Sequence, residues 1–206
     1  MKVVGITGGI GSGKSEVIKL LQERWNVAVI LADEVGHGLM KQGGKTYRVL
    51  VDYYGTQILN EDNSINKDCL RNIAFKNKES VEIINRLTHP LIKEEIINKI
   101  ENIKKDTKEN QCPPFIALES AILQEGGLDS LCDEIWYVYA DEAIRIKRLM
   151  SGRGYSKEHC KQIIEKQKSD KYYRQLANWT LDNSNTIEKT KNQLEKKIAD
   201  MEKRSR

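Results

Sequence analysis

The chain has 206 residues, of which 39% are hydrophobic and 31% charged, a balance that is typical of a globular protein with a core and excludes an intrinsically disordered chain. Its 34 Lys and Arg residues against 30 Asp and Glu give a net charge of +4, most of it in residues 188–206, so nucleic acid is not an expected partner. The longest apolar run, residues 27–32, is far shorter than the ~20 residues of a membrane span, so we expect no membrane partner. The four cysteines form no CxxC pair, so we expect a cytoplasmic protein with reduced thiols.

Five short apolar runs predict buried strands. They are apolar on both faces, as strands of a parallel sheet covered by helices are. The runs alternate with helical stretches, an order that implies right-handed crossovers and a three-layer, open α/β sheet. The predicted strands are residues 3–7, 27–31, 115–118, 135–139 and 179–181.

Helical periodicity fills the segments between these strands. Residues 36–111 contain no convincing buried strand, which predicts a helical insertion that could hold a second substrate. Because proline restricts the residue before it, we expect the helix over residues 80–103 to be interrupted at His89 and Pro90. The other predicted helices are residues 16–24, 65–75, 156–176 and 187–203.

A phosphate-binding loop is the strongest motif in the chain. Residues 8–15 match G-x-x-x-x-G-K-[ST] directly after the first strand and directly before a helix, the context in which this motif binds nucleoside triphosphates. Glycines let backbone N–H groups turn towards a phosphate, and the helix N-terminus attracts the same anion. Lys14 can reach the β- and γ-phosphates, and the Ser15 hydroxyl can ligate Mg²⁺. We expect ATP to contact Gly8, Gly9, Ile10, Gly11, Ser12, Gly13, Lys14, Ser15 and the adjacent Glu16.

Asp33 follows the second strand, at the same sheet edge as the phosphate loop. It could act as the base that accepts the acceptor's proton, orient the hydroxyl or help to hold the metal. The alternative is an N-cap for the next helix.

Residues 33–36 also match the D-x-x-G motif of GTPases. A GTPase of that kind also carries N-K-x-D, and residues 66–69 and 77–80 both lack the aspartate at its fourth position, which argues against that class.

A basic cluster follows the fourth strand. Arg145 and Arg148 end a predicted helix, and Arg153 follows in a glycine-flanked loop, as a lid that clamps a transferring phosphate requires. A solvated helix end is the alternative. His37, His89 and His159 show no metal-ligand spacing.

Several of these segments, taken in order, resemble the dephospho-coenzyme A kinase family from about Val3 to Asn183. Residues 5–15 resemble the start of that family. The further resemblances are Ala32-Asp33 with His37 to D-A-D-x-x-A-R, residues 87–92 to L-x-H-P-x-I, residues 119–123 to D-x-P-L-L, and Gln167 with residues 177–183 to Q…A-D-x-x-I-x-N. The chain departs from the family at four positions. Leu31 and His37 stand where D-A-D-x-x-A-R has its first aspartate and its arginine, Gly152 stands at the family's second lid arginine, and Asn178 replaces the aspartate of A-D.

The resemblance implies a P-loop kinase fold and an activity, phosphorylation of the ribose 3′-hydroxyl of dephospho-coenzyme A by ATP with Mg²⁺. We expect a monomer or weak homo-oligomer. It implies that Asp33, Lys14 and Arg148 are catalytic. Arg153, one position beyond the place of the family's second lid arginine, is expected from the basic cluster to bind ATP. Substrate binding is implied for Thr7, Asp33, His37 and His89. Within one domain it implies a nucleotide-binding core (1–35, 112–140 and 177–206), a coenzyme A region (36–111) and a lid (141–176). Another phosphate-loop kinase, for a nucleoside monophosphate or small alcohol, and a nucleotide-dependent switch are the alternatives.

Overall fold

A computed structural model describes residues 1–74, 76–106 and 112–205 of the chain. Its five strands form one sheet in the order β2-β3-β1-β4-β5. Strand β1 pairs in parallel with β3 and with β4, and β4 pairs in parallel with β5. The strands are β1 (Lys2–Thr7), β2 (Ala28–Leu31), β3 (Phe115–Glu119), β4 (Glu134–Tyr139) and β5 (Trp179–Asp182). All five strands predicted from the apolar runs are therefore confirmed, as is the α/β class.

The helices connect and flank these strands. Two single turns of 3-10 helix, Thr56–Ile58 and Asp129–Leu131, complete the regular structure of the described residues. The α-helices are α1 (Lys14–Trp25), α2 (Ala32–Leu39), α3 (Lys45–Tyr54), α4 (Lys67–Ala74), α5 (Lys78–Asp106), α6 (Glu142–Arg153), α7 (Lys157–Glu165), α8 (Asp170–Leu176) and α9 (Ile187–Ser205). No helix among the described residues is long and apolar enough to cross a membrane.

The predicted interruption at His89 and Pro90 is wrong. Helix α5 runs without a break for 29 residues and contains Pro90. A proline inside a helix removes one backbone donor and crowds the carbonyl four residues earlier, so the helix must be held by its packing. The buried Ile96 and Ile100 provide that packing in the C-terminal half of α5. Phe75, at the end of the predicted helix 65–75, lies outside the described residues.

Residues 156–176 form two helices, and the single helix predicted there is wrong. Ser156 caps α7 by accepting a hydrogen bond from His159 N, and Ser169 caps α8 by accepting one from Tyr172 N. Each serine satisfies a backbone donor that has no partner within its own helix, so the second serine starts a new helix. The prediction that Arg153 lies in a loop is also wrong, because Arg153 is the last residue of α6 and the helix is capped by Gly154, which has a φ of 66°.

The contacts divide the chain into two compact units. The first unit comprises residues 1–29 and 131–206 with the segment that ends at Leu123, and its core consists of buried strand residues such as Ile6, Ile116 and Trp136. The second unit comprises residues 30–106 and 124–130, and its core is built around the buried Leu50, Ile58 and Ile65.

Candidate active site

The loop between β1 and α1 has a backbone that glycine alone adopts readily. Gly8, Gly11 and Gly13 have φ values of 153°, 77° and 90°. A Cβ on Gly8 would lie 2.5 Å from Val138 O, and one on Gly13 would lie 2.3 Å from Asn183 Nδ2. Both the backbone conformation and the close neighbours therefore require glycine, which is what a loop that wraps a phosphate needs.

Lys14, the first residue of α1, folds back over this loop. Its Nζ donates a 2.7 Å hydrogen bond to Gly8 O and lies 3.8 Å from Glu119 Oε1, at the end of β3. The Lys14 side chain is only 13% exposed. The structure therefore holds an ammonium group at the mouth of the loop, next to a carboxylate from the neighbouring strand.

A cleft of about 640 Å³ lies over the loop and α6. It brings together most of the residues that the sequence predicts to bind ATP, including both arginines that are predicted for the lid. Its lining includes Gly9, Ile10, Gly11, Gly13, Lys14, Ser15, Glu16, Arg148, Gly152 and Arg153. Gly8 and Ser12 are buried behind this lining, as is Thr7 at the end of β1. Within the described residues, the buried Thr7 Oγ1 and Ser12 Oγ have no hydrogen-bond partner.

Arg148 and Arg153 occupy different environments in this cleft. Arg148 is half-buried, and its guanidinium donates to Ser12 O at 3.0 Å and to Asn183 O at 2.8 Å. Arg153 is exposed at the end of α6. The structure thus ties Arg148 to the backbone of the phosphate loop and leaves the Arg153 side chain at the surface of the cleft.

Asn183, the residue after β5, also supports the loop. Its Nδ2 donates to Ser12 O at 2.8 Å, and its Oδ1 accepts from Thr190 Oγ1 at 2.8 Å. Asn183 and Thr190 are 4% and 0% exposed. Buried polar groups of this kind are costly unless each is paired, so this network fixes the position of the Ser12 carbonyl.

Three residues contact Lys14 or the phosphate loop without having been predicted to do so. Glu119 contacts Lys14, and the signal that could have found it is its position at the end of a strand beside β1. Arg145 and Gln167 both contact Ile10 of the phosphate loop. Arg145 was predicted only as part of the basic lid cluster, and Glu119 and Gln167 only as parts of family motifs. No sequence pattern indicates what these side chains bond.

Asp33 and His37 lie in the second unit, on α2. Asp33 is exposed in the first turn of the helix, and His37 is exposed one turn later, on the same face. The N-cap of α2 is Leu31, so the capping alternative for Asp33 is wrong. A carboxylate in the first turn of a helix remains favourable there because of the positive helix end.

His89 lies on α5, which packs against α2 where Gly36 meets Ile92. Its side chain is half-buried, and burial lowers the pKa of the imidazole, an effect that a hydrogen bond with the backbone of Glu125 partly offsets. The structure therefore favours the neutral form of His89, which can donate one hydrogen bond and accept another.

A parallel sheet of this order with a G-x-x-x-x-G-K-S loop between β1 and α1 defines a P-loop kinase fold. The chain matches the family model of CoaE, dephospho-CoA kinase, over residues 2–189, and it belongs to this family of ATP-dependent kinases. It is 36% identical to the dephospho-CoA kinase of Carboxydothermus hydrogenoformans over 94% of this chain and 91% of that protein.

Solved structures agree with the fold. A crystal structure from Thermus thermophilus superposes with a TM-score of 0.79 at 23% identity and covers 97% of both chains. Dephospho-CoA kinase from Campylobacter jejuni superposes with a TM-score of 0.69 at 22% identity and covers 99% of this chain and 98% of its own.

Proposed function

We propose that this chain transfers the γ-phosphoryl group of ATP to the ribose 3′-hydroxyl of dephospho-coenzyme A, giving coenzyme A and ADP. The observation that carries this proposal is the cleft lined by glycines of the loop, by Lys14 and by Ser15, the first residues of α1. Positive charge and turned backbone donors in one cleft suit a triphosphate.

The chemistry assigned to the cleft is charge neutralisation. Phosphoryl transfer requires positioning and stabilisation of negative charge more than covalent help from the protein. In this proposal Lys14 exchanges its bond with Gly8 O for the β- and γ-phosphates, and Arg153 contributes a guanidinium from the rim. Arg148 acts at the same cleft while it holds the carbonyl of Ser12.

The residues present also fit Mg²⁺. The ion prefers oxygen ligands and usually takes only one or two from the protein, with substrate phosphates and waters supplying the rest. No cluster of three His, Cys, Asp or Glu side chains that could hold a metal occurs within the described residues. Ser15, whose hydroxyl lies on the exposed first turn of α1, would hold the ion in this proposal. When bound, Mg²⁺ neutralises charge that develops on the phosphates.

Thr7, Asp33, His37 and His89 are the residues assigned to the acceptor. Asp33 accepts the proton of the 3′-hydroxyl or orients that hydroxyl, as a carboxylate on an exposed helix turn can do. His37 and His89 supply hydrogen bonds to dephospho-coenzyme A, and residues 36–111 provide its binding region. Residues 141–176 act as the lid, and residues 1–35, 112–140 and 177–206 form the nucleotide-binding core.

The decisive experiment measures ADP release from Mg-ATP by the purified wild-type protein, alone and with dephospho-coenzyme A. A matched acceptor control is AMP, which has a ribose 3′-hydroxyl but no pantetheine arm. Strong stimulation by dephospho-coenzyme A alone supports the proposal. Stimulation by AMP instead would identify a nucleoside monophosphate kinase, and slow release that ignores both acceptors would indicate a nucleotide-dependent switch.

A further inference from the structure

Both polar backbone groups of Ile10, in the middle of the phosphate loop, are bound by side chains from distant segments. Ile10 N donates to Gln167 Oε1 at 3.0 Å, and Ile10 O accepts from Arg145 Nε at 2.8 Å. Arg145 Nη2 donates to the same Gln167 Oε1 at 2.7 Å. The three hydrogen bonds close a ring around one residue of the loop, and all three partners belong to the first unit.

The loop is shaped to admit this guanidinium. A Cβ on Gly9 would lie 2.4 Å from Arg145 Nη2, and one on Gly11 would lie 2.9 Å from Arg145 O. Two glycines of the motif therefore make room for α6 as well as for a phosphate. Arg145 uses two different nitrogens for its two bonds, and the ammonium of a lysine cannot reproduce that fork.

We propose that Arg145 and Gln167 are positioning residues that hold the Ile10 segment in the conformation that binds the ATP phosphates. They act through the loop backbone, since their bonds go to Ile10 and to each other. Gln167 lies between α7 and α8, and Arg145 lies on α6, so the ring fastens the predicted lid region to the loop. This inference rests on the proposed function only in taking a nucleotide phosphate as the occupant of the loop.

The test measures the Kd of Mg-ADP by calorimetry, together with KM for ATP and the thermal unfolding temperature without nucleotide. Arg145→Lys keeps the charge and removes the fork, and Gln167→Leu removes the shared acceptor. We expect each to raise the Kd of Mg-ADP about tenfold, the effect of losing hydrogen bonds that involve a charged group. Gln167→Glu keeps an acceptor oxygen for both donors and is expected to stay within about threefold of wild type.

The double variant Arg145→Lys/Gln167→Leu tests whether the two residues act together through one ring or independently of each other. If the ring acts as a unit, the double variant binds Mg-ADP about as weakly as the weaker single variant, because either substitution already breaks the ring. If the factors by which the two single variants raise the Kd of Mg-ADP multiply in the double variant, the proposal would be overturned. Arg24→Lys and Gln175→Leu are the matched controls, because both residues are exposed and lie on α1 and α8. Both variants are expected to bind Mg-ADP as the wild type does.

Two further outcomes would overturn the proposal. The first is an unchanged Kd for Arg145→Lys. The second is a lower unfolding temperature with unchanged Kd and KM, which would make the ring merely structural. Because Mg-ADP binding needs no acceptor, a protein that binds Mg-ADP but ignores dephospho-coenzyme A would contradict the proposed function alone. A wild-type protein that does not bind Mg-ADP would contradict both.

Discussion

Lys14 and Gly8 close the phosphate loop on itself, because Lys14 Nζ donates a 2.7 Å hydrogen bond to Gly8 O across the intervening residues. Glu119 Oε1, at the end of the neighbouring strand β3, lies 3.8 Å from the same nitrogen. The ammonium group is therefore already positioned over the loop by backbone and carboxylate oxygens. In the proposed function, phosphate oxygens take the place of these partners.

Lys14→Ala removes this charge from the loop. We expect kcat to fall by about 10²–10³, since that is the cost of deleting one preorganised group that stabilises transition-state charge. The measurement is steady-state ADP release with saturating dephospho-coenzyme A. Lys19→Ala, an exposed lysine of the same helix α1, is the control and should retain wild-type turnover. Near-normal turnover of the Lys14 variant would contradict the role of the loop.

Asp33→Asn tests the proposed base. Leu31 holds the N-cap of α2, so the substitution removes a charge from the first helical turn without removing a cap. We expect kcat to fall by about 10²–10⁴, the usual contribution of a general base, with the Kd of Mg-ADP unchanged. Glu34→Gln, the exposed neighbour on the same turn, is the control. Equal losses in both variants would assign the effect to helix charge and not to catalysis.

Parts of this architecture could be predicted from the sequence because they depend on neighbouring residues. Apolar runs located each strand of the described residues, and the loop motif stands next to the strand and helix that define it. The ring around Ile10 was not predictable in this way, because Ile10 and Gln167 are 157 residues apart in the chain. The continuity of α5 through Pro90 likewise depends on packing at Ile96 and Ile100, which local rules for proline do not include.

Arg148 and Arg153 are expected to differ when each is replaced by alanine. Arg148→Ala removes two hydrogen bonds to the carbonyls of Ser12 and Asn183, so both kcat and the unfolding temperature should fall. Arg153 is exposed, so Arg153→Ala should leave the unfolding temperature unchanged and lower kcat only. Lys161→Ala, an exposed residue of α7, serves as the control for loss of surface charge. An unchanged kcat for Arg153→Ala would assign the lid function to Arg148 alone.

Asn183→Ala tests the buried network behind the loop. The substitution leaves Thr190 Oγ1, which is fully buried, without its acceptor and removes a donor from Ser12 O. We expect the free energy of unfolding to fall by about 1–3 kcal/mol, the cost of a buried polar group that loses its partner. Urea denaturation measures this difference. Asn192→Ala, an exposed asparagine of α9, should change stability little, and an equal loss there would contradict the role of the network.

His89 is expected to make the stability of the protein depend on pH. Burial lowers the pKa of the folded imidazole, so on acidification the unfolded chain, with an ordinary pKa of about 6.5, takes up its proton first. The unfolded state then binds more protons, so the free energy of unfolding falls as the pH drops below about 6.5. Above that value His89 does not make the free energy of unfolding depend on pH.

His89→Gln removes this titration, so the variant should lose less stability between about pH 7 and pH 5 than the wild type does. Urea denaturation at several pH values measures the difference, with the exposed His159→Gln as the control. Parallel curves for wild type and His89→Gln would show that the buried imidazole does not carry the effect.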